Sequence, residues 1–178
     1  DKITILNLYK NLGTAAYGNI AYSCVYFNGC LWIVTGCSDY LLKYNVNTGE
    51  SELHKNGVDK YVYTYITADE NRLYLLDNIN NIIAITNDGI DCMVIKIQTS
   101  LIKKYWNTEN GELCLFKAVL NVGNYIVLIP AFSDTFIKIN KITNEQSAIN
   151  THFLDNADGC FNGYNPEYSY STGAFAVL

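Results

Sequence analysis

Charged residues and proline are both scarce in this sequence. Only 16% of the 178 residues are charged, against roughly a quarter in a typical soluble domain, and proline occurs twice. Apolar residues make up 49% of the chain, which is too large a share for an intrinsically disordered protein. The 12 basic residues are scattered and the net charge is -5. Nucleic acid is therefore not an expected partner, because phosphate binding needs clustered Lys and Arg.

Long apolar runs are also missing. No stretch approaches the roughly 20 apolar residues that cross a bilayer, so no membrane partner is expected. The sequence begins Asp-Lys-Ile-Thr, without an initiator Met or a signal-like stretch. A processed chain that has lost a signal peptide is one interpretation of that beginning. The compartment stays open, and unpaired cysteines favour the cytoplasm.

The cysteines lack the spacing of a metal site. No Cys-x-x-Cys pair occurs, and only two histidines could join them, so neither zinc nor another metal is expected. In the hairpin predicted below, Cys24 lies opposite Ile33 and Cys30 lies opposite Phe27, which keeps those two thiols apart. The sequence therefore predicts buried, free thiols. The six cysteines are Cys24, Cys30, Cys37, Cys92, Cys114 and Cys160.

Tyrosine, isoleucine and asparagine are what the sequence has in abundance. Tyr, which occurs 15 times, and Ile suit the half-buried surface of a β-sheet, and Asn suits the turns between strands. No helical period of 3.6 residues is sustained. The composition therefore predicts many short strands joined by turns.

A repeat organises these strands into three units at about residues 21–55, 61–97 and 113–150. Each unit contains an apolar strand, a polar turn, a second apolar strand and a turn rich in Asn, Asp or Gly, with one further strand before and one after. Lys43, Ala84 and Lys138 occupy equivalent positions. The first spacing fits the roughly 40–50 residues of a propeller blade, and the longer second spacing indicates an insertion at 99–111.

The segments Leu-Trp-Ile-Val-Thr-Gly (31–36) and Leu-Leu-Lys-Tyr-Asn-Val-Asn-Thr-Gly-Glu (41–50) resemble a blade of the quinoprotein-like and Kelch-like β-propellers. The resemblance covers about residues 21–150. It implies an all-β fold within a single domain (1–178), with about three four-stranded antiparallel blades and a partial blade from terminal strands 3–9 and 168–178. The Kelch double glycine, the Trp-Asp blade ending and the tryptophan pattern of quinone-dependent dehydrogenases are absent, so no cofactor is expected. A β-sandwich is the structural alternative.

The turns between the second and third strands supply the candidate binding residues. In a propeller these turns share one face with the mouth of the central channel, where they could present polar groups to a small molecule, a glycan or a peptide. Asn, Asp and Ser also stabilise the backbone of their own turns, which is the alternative explanation. The candidates, with an aromatic residue from the insertion, are Ser38, Asp39, Asn78, Asn80, Ser133, Asp134 and Trp106.

These features favour a non-enzymatic recognition module, because repeat scaffolds commonly present interaction surfaces. No catalytic residue is predicted. The first alternative is a carbohydrate-active hydrolase or lyase that uses Asp39, Asp77 and Asp134 at the channel mouth. The second is a structural repeat domain of a larger protein. Because an open propeller exposes strand edges, the terminal strands are expected to pair with each other or with a second chain.

Substitution of both Asp39 and Asp134 by Ala tests the predicted binding face. We expect the double variant to lose ligand affinity while its thermal unfolding midpoint stays nearly unchanged, because both residues are predicted at equivalent turns of different blades. Ligand titration and thermal denaturation measure the two effects. A loss of folding would show instead that both residues stabilise turns.

Overall fold

The computed structural model describes residues 23–34, 40–55, 63–77, 81–86, 92–102, 115–130 and 135–149, which form three antiparallel sheets of four strands each. The first sheet contains β1 (Ser23–Phe27), β2 (Cys30–Val34), β3 (Tyr40–Asn45) and β4 (Ser51–Lys55). The second contains β5 (Tyr63–Ala68), β6 (Arg72–Asp77), β7 (Asn81–Thr86) and β8 (Cys92–Lys96). The third contains β9 (Phe116–Val122), β10 (Tyr125–Pro130), β11 (Phe136–Asn140) and β12 (Gln146–Ile149).

Each sheet is a meander whose strands pair in chain order. The β1–β2 hairpin turns at Asn28 and Gly29, whose φ angles of 49° and 78° match the type I′ turn that Asn-Gly favours. Its register places Cys24 opposite Ile33 and Phe27 opposite Cys30, as predicted. The all-β arrangement of three four-stranded blades is therefore confirmed.

The third and fourth strands of the first and third sheets are joined by the same turn. The Asn45 side chain accepts hydrogen bonds from the amides of Asn47 and Thr48 at 2.9 and 3.1 Å. The Asn140 side chain accepts the equivalent bonds from Ile142 and Thr143 at the same two distances. The repeat read from the sequence thus extends to individual hydrogen bonds.

The left-handed position of this turn is filled by a different residue in each copy. Gly49 has a φ of 76° and Asn144 a φ of 58°, in the region that Gly and Asn adopt most readily. Because the backbone amides of both residues donate to the carbonyl of the leading Asn at 2.9 Å, the two turns close identically.

Apolar packing between consecutive sheets forms two buried clusters. Trp32 and Leu41 of the first sheet pack with Leu73 and Leu75 of the second, and Leu76 on the opposite face of the second sheet packs with residues of the third. Both faces of the middle sheet are therefore covered, which explains why β6 is buried from Leu73 to Asp77. Adjacent burial on a strand is the pattern of a sheet packed on both sides.

The first strands of the three sheets lie side by side. The Ile66 amide donates to the Ser23 hydroxyl at 3.3 Å, linking β5 to β1, and the Asn121 side-chain amide donates to the Ala68 carbonyl at 2.8 Å, linking β9 to β5. At the fourth strands, the side-chain amide of Gln146 on β12 donates to the Lys96 carbonyl on β8 at 2.7 Å. The three sheets are thus joined through their first strands, and the second and third sheets are also joined through their fourth strands, in a propeller-like arrangement.

The apolar strands of the repeat predict that Leu31, Ile33, Leu73, Leu75, Ile126 and Leu128 include core residues. All of them are buried except Leu31, which is half-buried. The expectation of buried thiols is correct for Cys30 but wrong for Cys24, which is exposed. The reason is strand alternation: Cys24 lies on the face of β1 that points away from the second sheet.

Some of the other predicted features lie within the described residues, and some lie outside them. The insertion begins with a short 3-10 turn at Thr99–Leu101, and the terminal strands 3–9 and 168–178 lie outside the described residues, so closure of the ring stays a prediction. His54 is half-buried on β4, with its ring centroid 5.4 Å from that of Trp32. None of the helices within the described ranges has the length and apolar character to cross a membrane.

Leu75→Ala tests the packing of the middle sheet. Leu75 is fully buried, and we expect its truncation to lower the free energy of unfolding by about 2–5 kcal/mol because a cavity is left between two sheets. Urea denaturation measures the change. The control is Ile142→Ala, at an exposed turn position, which should change stability by less than about 0.5 kcal/mol. Equal losses in the two variants would contradict the described packing.

Candidate functional site

The binding residues predicted from the sequence fall in connections beyond the described ranges. Ser38, Asp39, Asn78, Asn80, Trp106, Ser133 and Asp134 all lie outside the described residues. Their assignment as a binding face therefore stays a prediction.

Asp77, the remaining carboxylate of the enzyme alternative, has a well-defined environment at the end of β6. It is completely buried, and its carboxylate accepts hydrogen bonds from the Asn81 backbone amide at 2.6 Å and from the Asn81 side chain at 3.1 Å. These bonds fasten the connection between β6 and β7. A carboxylate in this position stabilises a turn and is not open to a substrate.

An open groove lies at the opposite end of the strands, between the second and third sheets. Its volume is about 500 Å³. The β5–β6 turn, the β9–β10 turn and the β11–β12 turn contribute to its walls, together with two residues of β6 and one of β8. The lining residues are Asp69, Asn71, Arg72, Tyr74, Met93, Asn124, Lys141, Ile142 and Asn144.

Asp69 organises the second-sheet side of this groove. One carboxylate oxygen accepts hydrogen bonds from the backbone amides of Asn71 and Arg72, both at 2.9 Å, and so closes the β5–β6 turn. The other oxygen accepts a hydrogen bond from the Tyr74 hydroxyl at 2.8 Å. A single carboxylate therefore fixes both the turn and the tyrosine beneath it.

Lys141 connects this carboxylate to the third sheet. Its ammonium group lies 3.2 Å from the second Asp69 oxygen and donates to the Asn121 side-chain oxygen at 2.9 Å. Asn121 in turn donates to the Ala68 carbonyl, one residue before Asp69. The result is a closed polar link between the two sheets, hereafter the Asp69–Lys141 link.

The electrostatics of the link keep Asp69 ionised and Tyr74 protonated. Burial alone raises the pKa of the Asp69 carboxyl, but the hydrogen bonds from two turn amides, the Tyr74 hydroxyl and Lys141 outweigh it, and the net pKa lies below its usual value. Burial, and then the neighbouring carboxylate, raise the pKa of the Tyr74 hydroxyl. Asp69 is thus a fixed anion and is poorly suited to act as a general acid.

The rim of the groove combines exposed apolar side chains with polar groups. Ile142 is 82% exposed and Met93 is 37% exposed. Asn144 approaches the Met93 sulfur at 3.9 Å through its side-chain nitrogen, while its side-chain oxygen is buried without a hydrogen-bond partner. Such a mixed surface offers both apolar contact and hydrogen bonds to a bound molecule.

Two features of the sequence, a pair of residue types that occur once each and a turn sequence, mark residues of this groove. Arg72 is the only arginine of the chain and Met93 is its only methionine, and both line the groove. The Asp-Glu-Asn sequence at 69–71 also marks a turn. The contribution of Lys141 carries no such signal, because it depends on how the second and third sheets pack.

A second open groove lies on the outer strands of the first sheet and has a volume of about 570 Å³. Its main charged groups satisfy each other: Lys43 and Glu52 form an ion pair of 2.7 Å. The Lys43 ammonium also lies 5.4 Å from the centre of the Trp32 ring. The remaining charged residue of this groove, Glu50, accepts a hydrogen bond from the Thr48 hydroxyl at 3.2 Å through its carboxylate.

Among the described residues, no group of three or more His, Cys, Asp or Glu side chains is arranged to hold a metal ion.

Comparisons with known proteins support the fold. No family model matches the sequence, and no curated protein matches it. A structure of YCF48, a β-propeller, bound to a D1 peptide is similar, with a TM-score of 0.56 and 12% identity over 76% of this chain and 41% of that chain. A chain from the S. cerevisiae assembly of Dbp5 with Nup159, Gle1, IP6 and ADP has a TM-score of 0.50 and 12% identity over 75% of this chain and 37% of that chain.

A glutaminyl cyclase from Myxococcus xanthus is more distant in structure, with a TM-score of 0.40 and 14% identity over 86% of this chain and 79% of that chain. The first two similarities show that this chain has an all-β, propeller-like fold. The chain spans less than half the length of either of those two structures.

Asp69→Asn tests the Asp69–Lys141 link. Because the folded-state pKa of Asp69 lies below the ordinary 3.8, its ionised form stabilises the protein above that pH, and the stabilisation is lost as the pH falls through the folded-state value. We expect the variant to lose about 1–3 kcal/mol at pH 7, and the difference from wild type to shrink below about pH 4. Urea denaturation across pH measures both.

The control is Glu52→Gln, which removes an exposed ion pair and should cost less than about 1 kcal/mol. A similar loss for both variants at pH 7 would contradict the assigned role of Asp69.

Proposed function

We propose that this chain is a non-enzymatic recognition module that binds an extended protein or peptide segment in the groove between the second and third sheets. The observation that carries the proposal is the juxtaposition of Ile142 and Met93, both solvent-exposed apolar side chains, with the polar Asp69–Lys141 link. An apolar contact bordered by polar groups is a common composition of protein interfaces.

The shape of the groove supports a segment of chain as the ligand. It is open, whereas sites for small molecules usually enclose most of the ligand surface. The side-chain amides of Asn71 and Asn124 line it and make no hydrogen bond within the described parts of the chain. Amide groups of this kind can pair with the backbone N–H and C=O groups of an extended peptide.

The rigidity of the groove also favours recognition. The Asp69–Lys141 link joins the two sheets, and the β11–β12 turn that presents Ile142 is closed by the Asn140 side chain. A preformed surface loses little conformational freedom when it binds, which increases affinity.

The fold is compatible with this role. One propeller of similar structure was solved bound to a peptide, and a second similar chain belongs to a multiprotein assembly. At 12% identity neither protein identifies a ligand for this chain. The face predicted from Asp39 and Asp134, which lie outside the described residues, stays a separate proposal for a small polar ligand, a glycan or a peptide.

The enzyme alternative receives less support. It requires carboxylates that converge on a substrate, and of its three candidates Asp77 is buried and bonded to Asn81. The alternative of a structural repeat domain predicts that no ligand will bind the groove, and the following experiment separates it from the recognition module.

Ile142→Asp tests the groove as a binding site. Peptides are first selected on the wild-type protein from a displayed library of random linear 12-residue sequences. We expect peptides from this selection to lose about tenfold or more in affinity for the variant, because an apolar contact is replaced by a charge. Fluorescence anisotropy measures affinity, and the methyl NMR signal of Met93, the only methionine, reports contact in the groove.

The matched control is Val46→Asp. Val46 is 48% exposed in the equivalent turn of the first sheet, so the same type of substitution is made outside the groove. Equal loss of affinity in both variants, or selected peptides that leave the Met93 signal unchanged, would contradict the proposal. A selection that yields no peptide would favour the structural alternative.

A further inference from the structure

Arg72 lies at the edge of the groove at the first position of β6. Its backbone amide is bound by the Asp69 carboxylate at 2.9 Å, which fixes where the side chain begins. The side chain is half-buried and lines the groove. The fixed backbone therefore directs an arginine side chain to the wall of the groove.

No carboxylate within the described residues forms an ion pair with Arg72. The nearest anion of the groove, Asp69, directs one oxygen to the two turn amides and the other to Tyr74 and Lys141. The positive charge of Lys141 is compensated by this ion pair, whereas the charge of Arg72 is not. Among the residues that the structure describes, Arg72 is thus a cation of the groove without a carboxylate partner, in a chain whose net charge is -5.

A half-buried guanidinium without a counterion favours an anion supplied by the ligand. Partial burial removes water from around the positive charge, which costs free energy. A carboxylate offsets this cost because it accepts two parallel N–H···O hydrogen bonds from the guanidinium. Lysine would supply only a single point charge at this place. The planar guanidinium therefore fits a carboxylate, the anion that a peptide side chain supplies.

We propose, on the basis of the function proposed above, that the segment bound in the groove carries an aspartate or glutamate whose carboxylate pairs with Arg72. An apolar residue of the same segment contacts Ile142 and Met93. The ligand class is thus an acidic linear motif with a neighbouring apolar side chain.

A double-mutant cycle tests this pairing with the peptides selected for groove binding. Each peptide is compared with versions in which its acidic residues are replaced by Asn or Gln, against wild type and Arg72→Gln. We expect loss of the carboxylate to weaken binding to wild type by about tenfold or more. The same replacement should have little effect on binding to Arg72→Gln, because the pairing is already absent.

The control variant is Lys138→Gln, which changes the net charge equally but alters a lysine placed over the Tyr125 ring at 4.6 Å. It should retain the preference for the acidic peptide. Circular dichroism and the Met93 methyl signal establish that each variant is folded with an intact groove.

The outcomes separate the two proposals. Groove-dependent peptides with no requirement for an acidic residue would overturn the pairing and leave the recognition function in place. An acidic requirement that persists in Arg72→Gln, or that disappears in Lys138→Gln, would also overturn it. Peptides that do not depend on the groove, or no selected peptides, would overturn both.

Discussion

Face-to-face packing of successive sheets is the constraint on which the rest of this structure depends. The second sheet is covered on both sides, by Trp32 and Leu41 of the first sheet and by Leu128 and Ile137 of the third. Because apolar burial is the main favourable term in folding, this packing sets the separation of the sheets. The grooves and polar links at the sheet ends follow from that separation.

The Asp69–Lys141 link shows how polar groups complete the packing. Apolar contacts are tolerant of small sliding movements between sheets, whereas hydrogen bonds of fixed length and direction are not. The link joins β5 and its turn to β9 and the β11–β12 turn, and Gln146 ties β12 to β8 on the outer side. Directional bonds at both sides therefore fix the relative position of two sheets whose cores are apolar.

Much of the fold could be predicted from the sequence, because the relevant signals are local. Short apolar runs separated by Asn-Gly or Thr-Gly turns define the strands, and the Asn28-Gly29 turn sets a hairpin register that the structure shares. The exposure of Cys24 required knowledge of which strand face meets a neighbouring sheet. Such information depends on packing and is weak in a single strand.

The candidate site was much less predictable. Asp69, Asn71 and Arg72 are close in sequence, but their importance depends on Lys141 and Ile142, which come from another sheet. Chain spacing cannot indicate that contact. Except for Trp106, the binding residues predicted from the sequence come from the predicted turns between second and third strands. The described groove is instead formed at turns between first and second strands and between third and fourth strands.

The repeated Asn-led turn has a consequence for how such a surface can change. Asn45 and Asn140 hold the same backbone, yet the positions between them and the end of each turn differ: Val46 and Asn47 in one copy correspond to Lys141 and Ile142 in the other. The scaffold of the turn is encoded separately from the side chains it displays. New binding preferences can therefore arise by substitution at these display positions while the backbone that carries them is retained.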